Sequence, residues 1–112
     1  MRTLMETIKF AQLQRGAIAK IDANISECAS FKIGKTGERL LDRLNQPDYN
    51  DVYTHIVSVF TGTKKDVDDM ESYLINTYLN HPKCDNKKDG GASKNDTMAD
   101  GSEKYQVYVV WK

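Results

Sequence analysis

The sequence predicts an α+β fold: a small, mostly antiparallel central sheet of three to four strands flanked by helices, with an extra helix at the N-terminus. Three observations predict it. Residues 31–33, 52–60 and 105–111 carry β-branched and aromatic side chains at strand period. Residues 2–15 and 64–80 instead space their apolar side chains three and four apart, as amphipathic helices do. Between these stretches lie clusters of Gly, Pro, Asn and Asp that extend neither period.

A chain of 112 residues makes one domain, here 1–112, large enough for a single core. Sixteen Lys and Arg balance sixteen Asp and Glu, which argues against a protein that coats nucleic acid non-specifically but leaves room for local basic patches. Cys28 and Cys84 stand alone, without the spacing of a zinc site or a disulfide framework, and fit a reduced, cytoplasmic compartment. Charges are scattered through residues 1–15, unlike a signal peptide, and no apolar run approaches the ~18 residues of a membrane span.

The first helix spans residues 1–15, with Leu4, Ile8 and Ala11 on one stripe and Gly16 as its stop. Residues 17–22, Ala-Ile-Ala-Lys-Ile-Asp, then read as a short strand forming an antiparallel hairpin with the strand at Phe31. That second strand runs out at Gly34, and Leu40, Leu41 and Leu44 restart the pattern at helical spacing. Arg39 and Arg43, four apart on this short helix, lie one turn above each other. Strand end, glycine turn and stacked guanidinium groups together suit an anion, although arginines on such a helix ordinarily face water. Gly34-Lys35-Thr36 is not itself a phosphate loop, because that pattern needs a glycine at position 29, which is Ala.

After the turn at 45–50, residues 52–60 are apolar at both parities, as expected of a central strand covered on both sides. Thr63 is a suitable N-cap for the helix at 64–80, with Asp66 in the place of a capping-box acid. Within that helix Glu71 falls inside the apolar stripe of Val67, Met70, Leu74, Ile75, Tyr78 and Leu79. A carboxylate there needs an answer, either a neighbouring Lys or Arg or a cleft in which it holds a divalent metal. Residues 81–103 lose all hydrophobic pattern and read as a long flexible loop, and 105–111 close the sheet.

In their order, the Lys32-Ile33-Gly34-Lys35-Thr36 strand, the helix with Arg43 and the later helix with Glu71 resemble the GIY-YIG nuclease superfamily. The likeness is to the branch whose second motif is Lys-Ile-Gly, and it covers residues 16–112. It implies metal-dependent phosphodiester hydrolysis. Glu71 would hold Mg²⁺ or Mn²⁺, and Arg43 would stabilise charge growing on the phosphate. Lys35, Arg39 and Asn86 would contact nucleic acid, and Lys32 stands where the second motif has its tyrosine. Serving there as the base would require a strongly depressed pKa. The first motif's tyrosine is missing from residues 16–22, leaving His55 or Tyr53 as substitute bases. Two function classes therefore stand: a metal-dependent nuclease, and an inactive module on the same scaffold that binds nucleic acid, a nucleotide or a protein partner.

Overall fold

The computed structural model describes residues 2–86 and 105–112. Six elements follow in order: α1 (Leu4–Ile25), β1 (Phe31–Thr36), α2 (Leu40–Leu44), β2 (His55–Gly62), α3 (Lys64–Tyr78) and β3 (Tyr105–Trp111). The strands form one antiparallel sheet in the order β1-β3-β2, so the last strand of the chain lies in the middle. The fold is α+β, as the sequence predicts, with three strands in the sheet.

The N-terminal region corrects the expected hairpin. Residues 17–22 form no strand; the first helix runs through Gly16 to Ile25, and the partner of β1 is β3. A glycine inside a helix costs about 1 kcal/mol relative to alanine. Ala17, Ile21 and Ile25, spaced four apart, are all buried, and each isoleucine contributes about 2 kcal/mol when removed from water. Burial therefore outweighs the break that Gly16 signals. At the other end Thr3 and Glu6 form a reciprocal capping box that fixes where the helix starts.

The strand expected to be central is an edge strand instead. β2 begins at His55, three residues later than its pattern suggests, and Ile56, Val57, Ser58 and Val59 are only half-buried. Alternation reports whether the two faces of a strand are covered, not whether both edges are hydrogen-bonded, so the periodicity of β2 was silent on its place in the sheet. Thr63 caps α3 by accepting from the Asp66 N–H, but the Asp66 carboxylate does not return the bond; it pairs with Arg2 at 2.6 Å.

Two clusters of apolar side chains cover the sheet. On one face Phe31, Ile33, Val107 and Val109 pack beneath α1 and α3 with Ile21, Val67, Met70 and Leu74. On the other, Tyr108 and Val110 pack with Tyr49, Tyr53, Leu40 and Leu44 from α2 and the turn after it.

The first residues of the expected 81–103 loop are ordered against the outer edge of β1; the rest of that loop lies outside the described residues. The Phe31 N–H donates to the Lys83 carbonyl and the Asp85 N–H to the Phe31 carbonyl, at 2.9 and 2.8 Å. Asn86 continues this edge with its side chain. Its Oδ1 accepts from the Ile33 N–H and its Nδ2 donates to the Ile33 carbonyl, both at 2.9 Å. The amide thus imitates one residue of a fourth strand. Asn86→Ala should leave two strand groups without partners and lower stability by about 1–3 kcal/mol. Urea unfolding followed by circular dichroism measures it, and an unchanged midpoint contradicts the role.

Candidate functional site

Alternation along β1 sends its residues to two different sites. Phe31, Ile33 and Lys35 point toward α1 and α3, and Lys32, Gly34 and Thr36 toward α2.

On the α3 face, Glu71 is 3% exposed, as its place in the apolar stripe predicts. Its answer is Lys35, itself 8% exposed, whose Nζ lies 3.6 Å from Glu71 Oε1 and 2.8 Å from Asp68 Oδ1. Lys64 reaches the other Asp68 oxygen at 3.2 Å. Burial would raise the Asp68 carboxyl, but hydrogen bonds from Lys35 and then Lys64 outweigh it and hold that carboxyl below its usual range. An ammonium between two carboxylates is a closed arrangement. Among the described residues, no three His, Cys, Asp or Glu side chains converge as ligands would. Among the described residues, Glu71 meets the Lys35 ammonium.

On the opposite face, α2 is only five residues long, but Leu40 and Leu44 anchor it to the tyrosine cluster and turn Arg43 inward. Arg43 Nε donates to Tyr108 Oη at 2.9 Å, and its terminal nitrogens reach Asp48 at 3.2 and 3.3 Å. It also donates to Gln46, whose amide donates in turn to Glu38 at 3.0 Å. The guanidinium lies 4.1 Å from the centre of the Tyr49 ring, and Lys32 Nζ lies 5.7 Å from the same ring. Tyr49 and Tyr108 share a hydrogen bond of 2.8 Å, and Tyr53 donates to Asp85 at 2.6 Å. Gly34 makes room for this network. A Cβ at that position would sit 2.5 Å from Tyr108 Cζ, inside any permitted contact.

Several expected site residues are placed differently. Arg39 does not stack on Arg43: it precedes the helix as its N-cap, is 86% exposed and pairs with Asp42 at 3.0 Å. Asn86 has committed its amide to Ile33. His55 stacks on Trp111 with ring centres 5.1 Å apart and bonds to Thr54, at the far end of β2. Lys35 and Glu71 come together, and Lys32 and Arg43 each approach the Tyr49 ring, but the two pairs occupy opposite faces of the sheet.

Sequence reasoning missed Tyr49, Tyr108, Asp48 and Gln46. Gln46 and Asp48 lie within a turn read only as a breaker, and Tyr108 was passed over in favour of the other face of its strand. No short-range signal links residue 108 to residue 43.

The tyrosines are held neutral. Burial pushes Tyr108 and Tyr49 above the ordinary phenol value, and burial followed by the Asp85 carboxylate does the same to Tyr53. Burial would lower Arg43, but Tyr108, Tyr49 and Asp48 more than offset it, and the group stays a cation. The arrangement offers a fixed, half-buried guanidinium oriented by phenol oxygens, with Lys32 over the same Tyr49 ring.

Comparison with family models, with curated proteins and with solved structures finds no match to this chain in any of the three.

The tyrosine shifts fix an alkaline limit. Tyr49, Tyr53, Tyr78 and Tyr108 all have raised pKa values when folded, against 10.0 for a free phenol. Above that pH the unfolded chain releases protons that the folded chain keeps, so stability should hold up to about pH 10 and fall as pH rises further. Phenolate absorbance from these residues should appear together with loss of circular dichroism, and Tyr108→Phe should flatten the slope. Full ionisation of all six tyrosines in a still-folded chain contradicts this.

Proposed function

We propose that the domain is a non-hydrolytic module on a GIY-YIG-like scaffold that binds nucleic-acid phosphate through Arg43 and Lys32. The observation that supports it is the separation of the two charged sites. Glu71 is sealed with Lys35 beneath α3, whereas Arg43 and Lys32 share the α2 face and flank one tyrosine ring.

Arg43 presents a fork whose outer nitrogens now meet Asp48, a residue with 58% of its side chain exposed. A phosphate approaching from solvent competes with that exposed carboxylate for the same two nitrogens, and Lys32 on the same face adds a second charge. The zero net charge of the chain confines attraction to this patch, so binding is modest and rests on few phosphates.

A second reading, phosphodiester hydrolysis with Mg²⁺ or Mn²⁺ at Glu71, is favoured by one observation. The resemblance implies a tyrosine in a first strand at residues 16–22, which hold none. The strand that does lie beside Lys32-Ile33-Gly34 is β3, and it brings a different tyrosine, Tyr108, opposite Gly34 and into hydrogen-bond contact with Arg43.

Fluorescence anisotropy with labelled single- and double-stranded oligonucleotides tests the binding module. Each phosphate contact contributes a slope of about −0.7 to −0.9 to log affinity against log salt. The expected slope is therefore about −2 for wild type and near −1 for Lys32→Ala, with Arg43→Gln weaker still. Unchanged binding by both folded variants overturns the proposal. The competing reading is checked on the same protein. A rise in melting temperature with Mn²⁺ that Glu71→Gln abolishes, together with nicking of supercoiled plasmid, replaces the binding module with the hydrolase.

A further inference from the structure

The two edges of the sheet are treated differently. The outer edge of β1 is covered by Lys83, Asp85 and the Asn86 amide. Along β2, by contrast, no backbone group of His55–Gly62 bonds to anything but β3 among the described residues. Exposed edges of this kind are usually blunted by charges or proline. The eight residues His-Ile-Val-Ser-Val-Phe-Thr-Gly contain no Lys, Arg, Asp, Glu or Pro, and their single irregularity is the bulge between Ser58 and Phe60.

A second unfilled surface lies over the same strand. α1 packs on the sheet mainly through β2, and its first turns expose Leu4 at 77%, Met5 at 64% and Ile8 at 46%. This is not a frayed end. The capping box closes it, Arg2 clamps it to Asp66 and Asp69 on α3, and Phe10 packs edge-on against Phe60.

We infer that β2 pairs antiparallel with β2 of a second copy of this chain, joining two three-stranded sheets into one of six strands about a two-fold axis normal to the sheet. An uncharged strand meets itself without like-charge repulsion, and antiparallel pairing of a strand with itself is the self-complementary contact that two-fold symmetry requires. The zero net charge of the chain adds no long-range repulsion between copies. An axis normal to the sheet keeps both α1 helices on one face beside the junction, so Leu4, Met5 and Ile8 of each copy gain cover from the same event. The bulge limits continuous pairing to the four residues His55–Ser58, about 13 Å of strand at about 3.3 Å each, so the exposed Leu4, Met5 and Ile8 supply the rest of the contact.

This inference is independent of the phosphate-binding proposal, since Lys32 and Arg43 take no part in it. Sedimentation of the full chain from micromolar to near-millimolar concentration, with amide hydrogen exchange at both extremes, tests it. The expected result is the mass of two chains, slow exchange at the outward-facing amides of 55–58 only at high concentration, and reversion to monomer in the Leu4→Lys, Ile8→Lys double variant. Both substituted positions are exposed, and circular dichroism verifies that the variant is folded. A monomer throughout overturns the inference, whether the β2 amides exchange quickly or are protected within one chain. So does a dimer in which those amides stay fast, because it forms through another surface.

Discussion

The insertion of β3 between β1 and β2 is the constraint on which the structure depends. Neither outer strand bonds to the other, so both gain a ladder only when residues 105–111 arrive between them. The same strand supplies one side chain set to each core, Val107 and Val109 beneath the long helices and Tyr108 and Val110 beneath α2. A chain whose middle strand comes last must close its longest loops before the sheet is rewarded, an arrangement of high contact order.

Tyr108 shows how that placement reaches the candidate site. It lies across from Gly34 in the β1 register, and only the missing Cβ of that glycine lets the ring settle there. Its hydroxyl then meets both Tyr49 and Arg43, so a residue of the last strand orients the guanidinium of the second helix. The network is fully paired among the described residues, where no buried side-chain nitrogen or oxygen lacks a partner. A satisfied network of this kind fixes one arrangement of the Arg43 side chain.

The buried pair Lys35 and Glu71 has a different meaning. Removing two charges from water costs several kcal/mol each, and their attraction, with Asp68 added, roughly offsets that cost rather than exceeding it. Its contribution lies in register: β1 and α3 can pack in only one way if each charge is to find the other. On this view the odd carboxylate in the stripe of α3 fastens two elements together.

The sequence by itself determined the fold class, the apolar faces of α3 and β3, the cap at Thr63 and the need for Glu71 to have a partner, because periodicity and local chemistry act over a few residues. It misjudged Gly16, where distant burial by Ile21 and Ile25 overrode a local break, and it took β2 for a central strand, because alternation carries no record of edges. Only the tertiary structure decided which strand lies in the middle, that Lys35 answers Glu71, and that Arg43 meets Tyr108 on the other face. Those two side-chain pairings join residues 36 and 65 positions apart, and the physical reason is that chain closure and desolvation, not neighbouring residues, select them.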